Sequence, residues 1–173
     1  FFVGAAGHAL FFGGNWADSL CSGICGMLVG FINQFLDRRK ANQFFSTIAS
    51  AFCMALLAYA MGAAGISRNP DAVTIGALMI LVPGLLFTNA MRDIIFGDTN
   101  SGINRIVQVF MIAAAIALGT GVAWNLFYTV WKIPYSADAL DHTFLIQCLC
   151  AFIGCYGVSI VFNIHGPGGL LCA

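Results

Sequence analysis

Apolar residues fill this chain in long unbroken runs, separated by short clusters of Gly, Pro, Asn, Asp and Arg. A helix that crosses a bilayer needs ~20 mostly apolar residues. The runs have that length and lack the alternation of barrel strands, so the pattern predicts helices rather than a barrel. Residues 1–12 read as the end of one helix, closed by the turn signal Gly13-Gly14-Asn15. Further helices are predicted over about 16–36, 43–64, 72 to the low nineties, 102–125 and 143–163, and a seventh is predicted to start near Leu170. Polar connections fall at 66–71, with Asn69-Pro70, and at 128–141, with Pro134. The predicted fold is all-α: a polytopic helical membrane protein of about six to seven transmembrane helices, one of them broken by Pro83-Gly84.

Composition agrees. Only 8% of the 173 residues are charged, against roughly 25% in soluble domains. All seven acidic residues are Asp, whereas exposed soluble helices favour Glu. Net charge is zero, which gives nucleic acid no electrostatic footing. The seven cysteines lie in apolar stretches without ligand or CxxC spacing, and read as small buried hydrophobes. Cys148 and Cys150, two apart, should point to different faces of their helix. Ser22, Gly26 and Gly30 recur every four residues, which suits tight bundling inside the chain or, as the sharper alternative, a homo-oligomer face. Arg38, Arg39, Lys40, Arg92 and Arg105 flank two connections, against Arg68 and Lys132 on the other side. That asymmetry places the loops 37–42 and 92–101 in the cytoplasm.

The polar chemistry concentrates in "VPGLLFTNAMRDIIFGDTNSGINR", residues 82–105. Pro83 removes a backbone donor and Gly84 weakens the helix, so a kink or break is expected there. Such breaks expose backbone groups near substrates in transporters. When the helix resumes, Thr88, Asn89, Arg92 and Asp93 share an arc of ~140° at ~100° per residue. These four are the candidate substrate path. Gly97 can end the helix, and Asn100 or Ser101 can cap the next. The next helix start is then an anion site, and Arg105, one turn in, needs a carboxylate from Asp93 or Asp98. The plain alternative is an ordinary loop with caps and surface ion pairs worth ~0–1 kcal/mol each.

The stretch "NPDAVTIGALMILVPGLLFTNAMRDIIFGDTNSGINR", residues 69–105, resembles the threonine/serine exporter family, which includes relatives implicated in succinate export. The matching positions are Pro70, Asp71, Ala72, Pro83, Gly84, Thr88, Asn89, Ala90, Arg92, Asp93, Gly97, Asp98, Ser101, Gly102 and Arg105. Upstream, Gly13, Gly14, Trp16 and Asp18 are similar to the family's Gly-Gly-x-Trp-x-Asp segment. The resemblance covers roughly 11–122, and "IVFNIHGPGGLLCA" is similar to the opening of the family's smaller second half. It implies export of a small hydrophilic metabolite on a proton or ion gradient. The expected organisation is a helical half over 1–125, a connecting loop over 126–142, and the start of a second half over 143–173. Both ends lie inside apolar sequence, so the chain is expected to be a piece of a longer protein whose remaining second half would be its partner.

Roles follow as hypotheses. Arg92, with its planar fork, would take a substrate carboxylate. Asp93 would take an ammonium or the coupling proton, and Thr88 and Asn89 would orient the substrate. Asp98 and Arg105 would latch the cytoplasmic mouth. Trp16 and Asp18 are either an interfacial Trp with a helix-start Asp or part of an outer mouth. His8 reads as a packed, hydrogen-bonded histidine, with a proton relay as the alternative, His165 as a loop residue, and Gln147 and Asn125 as interhelical glue. No nucleophile–base or metal-ligand spacing points to an enzyme, a cofactor or a metal. The expected partners are the lipid bilayer and a small-molecule substrate. A zwitterion fits Arg92 beside Asp93; a dicarboxylate would instead use Arg92, Arg105 and the helix start. A non-transporting membrane scaffold is the alternative of another class.

Overall fold

A computed structural model describes residues 1–131 and 144–161. The helix predicted at Leu170, together with His165, Cys172, Lys132 and Pro134, lies outside the described residues. All the described elements are helices: α1 (Phe2–Phe11), α2 (Trp16–Arg38), α3 (Gln43–Ala63), α4 (Pro70–Leu78), α5 (Gly84–Ile95), α6 (Thr99–Trp131) and α7 (Phe144–Val161). Among them α2, α3 and α6 are each long and apolar enough to cross a membrane. The predicted fourth helix is two: α4 and α5 have 9 and 12 residues. At ~1.5 Å per residue, each reaches only about half of a ~30 Å hydrocarbon core.

The helix ends follow local chemistry. Asn15 and Asp18 form a reciprocal capping box at the start of α2. Asn42 caps α3, and Asn69 caps α4 with Pro70 in the first turn. The helix after the polar loop starts at Thr99, not near 102, because Asp98 is its cap. Asp98 Oδ1 accepts from Ser101 N–H at 3.3 Å, and its carbonyl takes Gly102 N–H at 3.0 Å. The cap predicted at Asn100 or Ser101 is thus corrected: Asp98 comes first and leaves both residues inside the helix. The far end runs to Trp131, past the predicted stop near Asn125, since the apolar run meets no breaker before Pro134.

Packing is close because small residues line the crossings. Ser22 Oγ donates to Ala5 O at 3.0 Å, and Ser19 Oγ to Ala6 O at 3.0 Å. A Cβ on Gly26 would meet Ala5 Cβ at 2.7 Å, and one on Gly30 would meet the Phe1 ring at 2.7 Å. The Ser22-Gly26-Gly30 stripe is therefore covered by Phe1 and α1 of the same chain: it serves tight bundling, the first of its two readings, and not an oligomer face. α1 meets α7 through glycines on both sides: a Cβ on Gly7 would lie 2.6 Å from Gly154 Cα. His8 is buried there, with Nδ1 2.7 Å from Gly4 O. The core between α1, α2, α3 and α4 holds Cys25, Val29, Met54, Ala58, Val73 and Ala77. Cys21, Cys25 and Cys150 are buried, but Cys53 and Cys148 are exposed, which corrects the expectation that every thiol packs inside. Cys148 and Cys150 do face opposite ways, as their spacing requires.

α3 and α6 run side by side in the same direction. Near their starts Gln108 Nε2 donates to Gln43 Oε1 at 3.1 Å, and near their far ends Tyr59 stacks edge-on against Trp124. The connections before these two helices therefore lie at one end of the bundle; Arg39 and Lys40 sit in the first, and Arg92 and Arg105 flank the second from within α5 and α6.

Candidate functional site

Residues 79–83 leave the helical path as turns, and Pro83 cannot supply a side-chain cap to α5. The predicted break is present. It redirects the chain: α4 is inserted among α1, α2 and α3, whereas α5 leaves that core and packs on α6. The physical cause is the missing donor at Pro83 combined with the loss of helix propensity at Gly84.

Beside the break lies a crevice of about 480 Å³. One wall is the break itself, from Ile80 through Leu86, with Asn89 one turn further along α5. The facing wall comes from the end of α2 and the start of α3: Asn33 and Asp37, then Gln43, Ser46 and Thr47. Gln108 and Ile112 of α6 close it. This volume is in the range of small-molecule pockets. The polar wall is mostly engaged. Ser50 Oγ donates to Asn33 Oδ1 at 2.6 Å, Thr47 Oγ1 to Gln43 O at 2.8 Å, and Gln43 is tied to Gln108. None of the residues lining the crevice is Lys or Arg.

Of the four predicted path residues, only Asn89 lines this crevice. The shared polar arc of α5 is split by its neighbour. Ala90 is buried against α6, where a Cβ on Gly102 would approach Ala90 O at 2.9 Å. This contact turns Asn89 and Asp93 inward and leaves Thr88 and Arg92 outward. Thr88 is exposed and donates back to Gly84 O at 3.0 Å. The Arg92 side chain is 62% exposed, with Nη2 3.8 Å from Asp93 Oδ1. Asp93, 15% exposed, binds Arg105 Nε at 3.2 Å and accepts from Ser101 Oγ at 3.4 Å. Arg105 thus has the carboxylate it needs, and Asp93 supplies it, while Asp98 serves as the cap of α6. The ion pair holds the end of α5 to the first turns of α6.

Asp18 and Trp16 separate as well. Trp16 is largely exposed at the start of α2. Asp18 is 1% exposed, and its Oδ1 accepts from Ser67 Oγ at 2.8 Å, Arg68 N–H at 2.9 Å and Asn69 N–H at 3.3 Å. Its Oδ2 accepts from Asn15 N–H at 2.8 Å. The carboxylate pins the loop that leads into α4 onto the start of α2, and does not open onto a mouth.

The residues missed from the sequence are Asn33, Asp37, Gln43, Ser46, Thr47 and Gln108. Their signal was present: 33 and 37, and 43, 46, 47 and 50, follow helical spacing, so each set is a polar stripe on an otherwise apolar helix.

Long apolar helices, one predicted helix broken into two halves, and a crevice beside the break define a helical membrane protein. Residues 1–127 match the family described as "Putative threonine/serine exporter", and the chain belongs to that family. It is also similar to the "Probable succinate transporter subunit YjjP" of Klebsiella aerogenes, with 24% identity over 121 residues, 69% of this chain and 45% of that protein. The chain thus spans under half the length of this curated relative. No solved structure matches it.

Proposed function

We propose that this chain carries the substrate path of a multi-pass secondary transporter that exports a small hydrophilic metabolite, of the threonine or serine kind, on a proton or ion gradient. The observation that carries the reading is the Pro83–Gly84 break opening onto a crevice with hydrogen-bonding side chains from three further helices. A continuous apolar helix would offer a polar solute nothing there; a broken one offers backbone groups. The crevice lies at the end of the bundle where Arg39, Lys40, Arg92 and Arg105 gather in and beside the connections, which is the cytoplasmic end by their distribution. Arg92, exposed and only loosely held by Asp93, is the cation available to an incoming carboxylate. Asp93, between Arg92 and Arg105, is the group placed to exchange partners as α5 moves against α6.

A dicarboxylate is the second reading. The name of the Klebsiella aerogenes relative includes succinate, and Arg92 and Arg105 stand on either side of Asp93. The test reconstitutes the full-length protein in proteoliposomes loaded with labelled threonine or succinate under an imposed proton gradient. Efflux of one solute, lost in correctly inserted Arg92→Ala and Asp93→Asn, supports the reading and names the substrate class. Efflux that both variants retain would return residues 88–105 to an ordinary loop, and efflux of neither solute would favour a scaffold.

A further inference from the structure

Two features of the crevice are left without protein partners. The first is Ser46, which is 5% exposed and whose Oγ is the one buried side-chain polar atom among the described residues with no hydrogen-bond partner. Buried hydroxyls in native proteins are paired, so an orphan that lines a cavity is a position for a ligand atom. The second is the start of α5, which lines the same crevice from Pro83 to Leu86. An α-helix begins with four N–H groups that no carbonyl of the helix can satisfy. Here Gly84 N–H is taken by Val82 O at 2.9 Å, and Phe87 N–H by Pro83 O at 3.0 Å. Pro83 supplies no side-chain cap. Leu85 and Leu86 are therefore the open donors, at the positive end of the helix dipole.

The charges complete the pattern. The crevice holds no cationic side chain, so the α5 start is its positive end. Its sole acidic residue is Asp37, exposed near the end of α2, and among the described residues no Lys or Arg pairs with it. We propose that the first turn of α5 and the Ser46 hydroxyl bind the carboxylate of a small amino acid, while Asp37 receives its ammonium. Leu85 and Leu86 N–H donate to the carboxylate oxygens, and so does Ser46 O–H, whose missing acceptor is then supplied. The inference rests on the export reading and deepens it. Arg92 serves the approach of the substrate, and the crevice recognises it. A dicarboxylate would bring a second negative charge to Asp37, so the crevice selects zwitterions.

Counterflow of labelled threonine by the full-length protein in proteoliposomes tests this. The competitors are threonine, threoninol (which lacks the carboxylate) and 3-hydroxybutyrate (which lacks the ammonium). Ser46→Ala should weaken threonine and 3-hydroxybutyrate about tenfold and leave threoninol unchanged, as expected for one hydrogen bond to a charged group. Asp37→Asn should show the mirror image, weakening threonine and threoninol and sparing 3-hydroxybutyrate. Ser46→Thr, which keeps the hydroxyl, should restore wild-type selectivity; a purely steric role for Ser46 predicts that it would not. If wild type moves threonine but Ser46→Ala shifts all three compounds equally, or none, the subsite is wrong and export stands. If wild type moves no threonine, the amino-acid reading fails and the subsite with it.

Discussion

Replacing Asp18 by alanine should be the most damaging single polar change in this chain. The carboxylate collects four donors, and two of them, Ser67 Oγ and Asn69 N–H, belong to residues that are themselves buried. Arg68 is exposed and Asn15 half-buried, so water can reach their N–H groups after the change. A buried donor stripped of its acceptor costs ~1–3 kcal/mol. Two such donors, with the capping box lost and the other pair rehydrated, give ~3–5 kcal/mol. Asp18→Asn should be milder, at ~1–2 kcal/mol: the amide oxygen still serves the donors of residues 67–69, while its NH₂ opposes Asn15 N–H. Reversible unfolding in mixed detergent micelles would measure both, and hydrogen exchange at Arg68 and Asn69 would show whether the loop before α4 opens first. Equal losses for the two variants would mean that the charge rather than the acceptor geometry matters. An alanine variant within ~1 kcal/mol of wild type would refute the clamp altogether, because even one stripped buried donor should cost that much.

Other substitutions separate packing from conformational effects. Gly7→Ala should loosen α1 from α7 by ~1–3 kcal/mol, since its Cβ would meet Gly154 backbone rather than a side chain that can turn away; unfolding in micelles reads this directly. Gly84→Ala should be tolerated, because nothing lies within 4 Å of a Cβ there, and a gain of ~0.4–1 kcal/mol from a stiffer unfolded chain is expected. Asp93→Asn should cost stability only ~0–1 kcal/mol, since the Arg105 side chain is 39% exposed and water screens the pair. A large loss of folding in that variant would rule out reading its transport phenotype as a defect of the site.

Much of the architecture was legible in the run lengths of apolar residues, because a bilayer-spanning helix needs a minimum length and leaves few alternatives. The break at Pro83-Gly84 was equally plain, since a missing donor acts locally. Cap positions were less so: Asp98, Asn100 and Ser101 are all competent, and the one that comes first in the chain takes the role. Helical spacing draws the polar residues of α5 as one arc, but periodicity alone cannot say which part of it turns inward.

That choice belongs to the tertiary structure. Gly102 lets α6 come close at Ala90, and this contact sends Asn89 into the crevice, Asp93 to Arg105, and Arg92 outward. Asp18 shows the same division. Its place at a helix start and its bond to Asn15 N–H could be read locally, but its other three partners lie 49 to 51 residues away, where only the folded chain brings them. The crevice is assembled from four helices, each contributing a stripe too short to stand out by itself. Sequence determined the helices and the break, because those depend on neighbours along the chain. The site depends on neighbours in space, which helix packing decides.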